Sequence, residues 1–297
     1  MVDRAASLLI SSLAFSTRKK YLQVIRQYEE FATTILGQQN WFPASVTAVA
    51  LFMAYLIDKG SSSSTVATSL SALGYIHKLA HHTDPTSHFV IRKILAGSAK
   101  IAKSVDSRLP ITVDILKKLL GATFRISRSH YEALLFRCMF IIMFYAFLRV
   151  GEATESPNNL QFSQVIVSPS GINITFYKFK HHTGPPIVVS IPASGTEYCP
   201  VSITIKYLRL RGAAQGPFFS YPGGIAVTSS QFSTFLSNAL SWCGYQHTNI
   251  KPHSFRIGAA TLAAAKGYSD VQIQAMGRWS SQAFKKYIRV QSFKVVL

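Results

Sequence analysis

Acidic side chains are what this sequence has least of: 12 Asp and Glu stand against 31 Lys and Arg in 297 residues, a formal charge of +19. Such an imbalance is the electrostatic footprint of a polyanion partner. Cysteine is scarce too. Cys138, Cys199 and Cys243 are odd in number and lack metal-ligand spacing, so neither a disulfide framework nor a zinc site is implied and a reducing compartment fits. No apolar run suits a bilayer of roughly 30 Å. The strongly apolar stretch from Cys138 to Leu148 is bounded by Arg137 and Arg149 and reads as a buried helix. Residues 5–16, behind Arg4, imitate a signal-peptide core, but serines interrupt them and Arg18-Lys19-Lys20 follow, so an amphipathic helix is expected and secretion is not. The cations are spread along the chain and not gathered beside an apolar anchor, which favours nucleic acid over a membrane surface.

What is present supports a packed core: 48% of residues are apolar, and the length exceeds one average domain. The first hundred residues show helical spacing with breaks at 37–43, 60–64 and 81–85. Ser16 or Thr17 can cap a helix whose Tyr21, Val24, Ile25, Tyr28 and Phe31 form an apolar face opposite Arg18, Lys19 and Lys20. Ser64 or Thr65 can begin another, running to about His81 with Val66, Leu70, Leu73, Ile76 and Leu79 inward. A polar stretch ending at Pro110 predicts a linker over 104–110, between a helical domain over 1–103 and a second domain over 111–297. In the second, helices are predicted from Thr112 to Leu120 and from Ser129 or His130 to Leu148. Residues 164–191 change period: Ile172, Ile174 and Phe176 alternate with polar neighbours, and a turn at 181–186 leads into Ile187 to Ile191. The expected fold is mainly α with a small antiparallel β-sheet, an α+β arrangement.

Cutting a phosphodiester without metal requires a nucleophile, a general acid for the leaving hydroxyl, and fixed cations for the oxygens of a pentacoordinate phosphorus. Arginine suits the last task because its planar fork meets two phosphate oxygens and keeps its proton. Arg149 follows the buried helix and precedes Gly151 and Glu152, so a guanidinium emerges from an apolar wall with a carboxylate placed to orient it. An arginine satisfying the last carbonyls of its own helix is the plainer alternative. His253 and Arg256 lie three apart after Pro252, at the start of a helix through Ala259, Ala260, Leu262 and Ala263, where both can project from one face towards phosphate. Local capping would also explain them. Tyr287 sits among Lys285, Lys286 and Arg289, in a segment whose Phe284 and Ile288 are the better core candidates. Its phenol can attack phosphorus to give a covalent phosphotyrosine.

Three segments in order carry a resemblance: Phe147-Leu148-Arg149-Val150-Gly151-Glu152, Pro252-His253-Ser254-Phe255-Arg256-Ile257-Gly258-Ala259-Ala260-Thr261, and Gly277-Arg278-Trp279 through Tyr287-Ile288-Arg289. Together they resemble the tyrosine recombinase (phage integrase) family, and within it the recombinases of eukaryotic DIRS-type mobile elements. The resemblance spans nearly the whole chain, since the helical first domain is similar to that family's core-binding domain. It implies that Arg149 and Arg256 clamp the scissile phosphate, that His253 assists proton transfer and that Tyr287 is the nucleophile. The family's hairpin lysine, which protonates the leaving 5′ oxygen, is matched by Lys180, with Lys178 as the alternative. A slot filled by His or Trp usually lies nine residues before the tyrosine. Here Arg278 is nine before and Trp279 eight before, and Trp279 has the expected chemistry, with Arg278 as a further phosphate contact.

The activity so implied is site-specific DNA recombination or integration by metal-independent transesterification, with no cofactor. Partners would be double-stranded DNA and further copies of the chain in a tetrameric synapse on paired sites, with no membrane. The nucleus, or otherwise the cytoplasm, is the expected compartment. The alternative is a catalytically inactive DNA-binding protein derived from a mobile-element recombinase. On either reading, duplex affinity should fall steeply as salt rises, with a log–log slope of about −0.9 per phosphate neutralised. A salt titration of duplex binding checks this, and a flat response contradicts the role given to the excess cations.

Overall fold

A computed structural model of the chain describes residues 2–101, 106–179 and 184–289. Contacts divide the chain into two units, Met1–Asp106 and Ser107–Leu297. The first unit is helical: α1 (Val2–Ser11), α2 (Phe15–Glu30), α3 (Val46–Asp58), α4 (Ser63–Leu79) and α5 (Phe89–Ile101). α2 packs on α4, and α3 on α5. Their shared core is aromatic at its centre, where the Tyr28 and Phe31 rings lie 5.2 and 5.3 Å from Phe52. Buried His77 closes one end, accepting from the Ala44 amide at 2.8 Å and donating through Nδ1 to Leu73 O at 2.7 Å.

Two helix starts differ from expectation. α2 begins at Phe15 with Ala14 in the cap position, ahead of Ser16 and Thr17. Packing of its apolar face decides the start, with Val24 and Tyr28 buried and Tyr21 against Tyr75. α4 begins at Ser63, capped by the Ser62 hydroxyl and not by Ser64 or Thr65, and ends at Leu79, which is exposed.

The second unit is built around α7 (His130–Tyr145), a helix apolar on nearly every side and therefore central. It packs against α6 (Val113–Ile126), α9 (Pro200–Arg211) and α11 (Ser254–Ala265). Phe136 stacks on Phe235 of α10 (Ser229–Trp242) at 3.7 Å, and Phe140 lies 5.3 Å from Phe255 of α11. Between α7 and α9 come the short helix α8 (Val150–Ala153) and three antiparallel strands, β1 (Val165–Ser168), β2 (Gly171–Phe176) and β3 (Ile187–Pro192), with β2 in the middle. Ile172 faces Val167 on one side and Ile191 on the other, and Ile172, Ile174 and Phe176 are buried while Asn173 points out, as the period of two requires. α12 (Asp270–Gly277) and a 3₁₀ turn, Gln282–Tyr287, complete the described unit.

Two expected boundaries move here. α6 runs to Ile126 and not Leu120, because Ala122 and Thr123 remain buried and carry the packed face past Gly121. α7 stops at Tyr145 and not Leu148, because Leu148 N donates to Met143 O and Phe147 N to Phe144 O, a closing turn with Phe147 at φ 52°. Within the stretch read as a linker, Leu109 N donates to Asn249 O, and the Ser107 hydroxyl accepts from Asn249. Just beyond it Ile111 N donates to Ser254 O, drawing this extended segment against α11. Gly258 permits that approach, since a Cβ there would stand 1.9 Å from Ile111 O. Gly258→Ala should therefore destabilise the chain by about 1–3 kcal/mol, the usual cost of overpacking. Denaturant titration reads the loss, and an unmoved midpoint would show that the two backbones can part without cost.

Candidate active site

The site forms where two helix ends meet. α7 ends in the turn through Phe147, and α12 ends in a second turn of the same kind, with Arg278 N donating to Ala275 O and Trp279 N to Gln274 O. Each turn needs one residue in the left-handed region, a place usually taken by glycine and occupied at other helix ends by Gly60, Gly244 and Gly267. Here the residues are Phe147 and Arg278, at φ 52° and 53°, at a backbone cost of roughly 1–2 kcal/mol each. The turns present carbonyls to arginines. Arg256 donates to Phe147 O and Gly277 O, Arg278 donates to Ala146 O at 3.1 Å, and Arg149 donates to Arg278 O at 3.3 Å.

One carboxylate serves this cluster. Glu152 accepts from Arg149 Nη1 at 3.0 Å and from Arg278 Nη2 at 2.8 Å, and also from the Arg149 backbone N–H at 2.9 Å. Arg149 is thus oriented by Glu152, at the start of α8 and not at the end of the long helix. Its side chain is 25% exposed, whereas that of Arg278 is 0% exposed and Arg256 is 1% exposed. Three guanidiniums around one carboxylate leave the cluster positive. Burial, followed by the charges of Arg149 and Arg278, pulls the Arg256 guanidinium below its ordinary pKa. An anion entering beside Arg149 would relieve that repulsion, so the electrostatics of the cluster favour an anion there.

The aromatic side of the site is Trp279, His253 and Tyr287. The Trp279 ring lies over Arg256 at 4.1 Å and stacks on Tyr287 at 5.5 Å, while the His253 ring is 4.9 Å from Tyr287. Trp279 reaches this place across the bare Cα of Gly277, where a Cβ would meet the indole at 1.6 Å. Tyr287 is held by its segment. Phe284, 0% exposed, fills a socket lined by Ala259, Ala260 and Ala263 on α11, and the Tyr287 carbonyl accepts from Thr261 Oγ1 at 3.2 Å. The same Oγ1 accepts from Arg289 N at 3.1 Å.

The structure brings Arg149, His253, Arg256, Trp279 and Tyr287 together. Arg278 is not placed as a phosphate contact: its guanidinium points into the protein, against Glu152 and over the Phe176 ring at 3.7 Å. Lys180 lies outside the described residues, and Lys178 is exposed beyond the end of β2. Phe176, Thr261 and Gly277 were named from the sequence but given no part in the site. Only Gly277 carried a signal, as a glycine before two large side chains. Among the described residues no cluster of His, Cys, Asp and Glu is able to hold a metal, and no helix is long and apolar enough to cross a membrane.

Burial pushes the Glu152 carboxyl up, but Arg278, Arg149 and the Arg149 N–H together hold it below its ordinary value. A carboxyl lowered in the folded state stabilises that state above its unfolded pKa, and the contribution disappears as pH falls through the folded value. Thermal melting followed across acidic pH should therefore lose stability more steeply in wild type than in Glu152→Gln. At neutral pH Glu152→Gln should melt lower, because Arg278 is left buried without an anionic partner. Identical acid limbs in the two proteins would remove Glu152 from this account.

No protein-family model matches the chain, and no curated protein matches it in sequence. Solved structures do resemble it. The XerH site-specific recombinase bound to a palindromic difH substrate aligns over 91% of this chain and 75% of its own, at a TM-score of 0.67 and 17% identity. A lambda integrase dimer bound to a COC′ core site aligns over 99% and 79%, at 0.66 and 18%. The Tn1549 transposon integrase in complex with transposon right end DNA aligns over 94% and 91%, at 0.62 and 13%. Mostly helical, with a small three-stranded antiparallel sheet in its second unit, the chain has the fold of the tyrosine recombinases and integrases.

Proposed function

We propose that this chain is a site-specific DNA recombinase that cuts and rejoins strands through a covalent 3′-phosphotyrosine, as in DIRS-type mobile elements. The observation that carries the reading is the setting of Tyr287: a phenol stacked on Trp279 and beside His253, with Arg256 beneath the indole and Arg149 on the same cluster. Tyr287 Oη gives its proton to His253 and attacks phosphorus, the bond to the 5′ oxygen breaks, and that oxygen takes a proton from Lys180, with Lys178 as the alternative. A 5′ hydroxyl of another strand then attacks the phosphotyrosine and releases the phenol. The number of phosphoester bonds is conserved, so no nucleotide is consumed.

Duplex DNA as substrate is supported by the charge of +19 and by the DNA-bound states of the XerH, lambda and Tn1549 proteins. Self-association on paired sites is supported by the lambda integrase dimer on its core site. The nucleus follows as compartment from the substrate and the mobile-element resemblance. Burial of Arg256 sets a condition: the indole or the tyrosine segment must shift before phosphate reaches that guanidinium. The same burial favours a second reading, a derived DNA-binding protein that no longer cleaves.

A nicked duplex built on the sequence that the protein selects from a random DNA pool distinguishes the two. Wild type should accumulate a covalent protein–DNA adduct, and Tyr287→Phe none. Arg149→Ala should retain most duplex affinity while losing cleavage by on the order of 100-fold or more, as expected for removal of one preorganised charge. Tight binding without adduct in wild type would leave only the non-cleaving reading.

A further inference from the structure

We infer that Arg278 is a positioning residue of the phosphate clamp: it fixes Glu152, and through Glu152 and its own carbonyl it fixes Arg149, without touching the scissile phosphate. The catalytic half of this inference rests on the recombinase reading; the bracing half does not. By count Arg278 stands nine residues before Tyr287, where a phosphate contact would be expected. Its side chain is directed elsewhere. Nη2 donates to Glu152 Oε2 at 2.8 Å, Nη1 to Ala146 O at 3.1 Å, and the guanidinium packs on Phe176 at 3.7 Å with no exposure to solvent. No edge of it is presented to an incoming strand.

What Arg278 holds, Arg149 depends on. Arg149 Nη1 is bound to the other oxygen of the same carboxylate, and Arg149 Nη2 to the carbonyl of Arg278 itself. Both nitrogens at the tip of the partly exposed guanidinium are therefore set by Arg278, one through a carboxylate and one through a backbone oxygen. Glu152 Oε2 is tied to the Arg149 backbone N–H at 2.9 Å, and Arg278 Nη2 binds that same oxygen at 2.8 Å. The second guanidinium reinforces the orientation of a carboxylate that an Arg149 side chain partly in water would hold less firmly. The turn at 278 takes a left-handed conformation that glycine adopts freely, yet it carries an arginine, at a local backbone cost.

The test is a double-variant cycle in the full chain, using Arg278→Gln, Glu152→Gln, both together, and Arg278→Lys. Each is measured for single-turnover cleavage of the nicked selected duplex, for duplex affinity and for melting temperature. Arg278→Gln should slow cleavage by on the order of 100-fold, the usual effect of misplacing a reacting group by about 1 Å, with affinity unchanged. The double variant should be no slower than the slower single and should melt above Glu152→Gln, because Arg278 is then no longer buried without its carboxylate. Arg278→Lys, which keeps a cation beside Glu152, should recover part of the rate.

Multiplicative losses in rate would mean that Arg278 acts independently of Glu152, and would overturn the inference. So would a lowered melting temperature with unchanged cleavage, which is a structural role only. If wild type forms no adduct, the recombinase reading fails on its own account. The melting cycle then still decides the bracing: coupled losses uphold it, and additive losses overturn it.

Discussion

Burying a guanidinium costs several kcal/mol unless its hydrogen bonds and its charge are both met, and the second unit buries Arg256 and Arg278 beside a third arginine, Arg149. Backbone carbonyls of Ala146, Phe147, Gly277 and Arg278 meet most of the hydrogen bonds, Arg278 Nε being left without one, and Glu152 meets much of the charge. That compensation works only if the end of α7, the start of α8 and the end of α12 converge. The long apolar helix, the socket for Phe284 and the close approach at Gly258 can all be understood as what holds those ends together.

The remaining positive charge is the other half of the constraint. A cluster fully neutralised by carboxylates would be more stable and would have no use for an anion. Here the deficit is concentrated where Arg149 opens to solvent, with Trp279 and Tyr287 on the same side of α11. Stability and the unbalanced positive charge are drawn from the same set of contacts.

Much of this was legible in the chain itself. The alternation of Ile172, Ile174 and Phe176 located the buried face of β2, and the apolar run before Arg149 located the central helix. Arg149, His253, Arg256, Trp279 and Tyr287 were picked out by type and order, and the structure brings them together. Illegible were features that depend on three dimensions. Nothing in the sequence distinguishes an arginine that opens to solvent from one turned wholly inward on Glu152, so the direction of Arg278 was misjudged. Helix ends at Tyr145 and Ile126 were misplaced because packing, not local propensity, determined them. A left-handed Phe147 has no local signature, since the usual residue for such a turn is glycine.

The seating of Phe284 among Ala259, Ala260 and Ala263 has a thermodynamic consequence. Fixing a flexible segment costs roughly 1–2 kcal/mol per residue in conformational entropy. With Phe284 buried and the Tyr287 carbonyl bound to Thr261, that cost is met when the chain folds, not when a ligand arrives. Any shift of that segment which uncovers Arg256 must first break those contacts, so the order built in at folding also sets the resistance to opening.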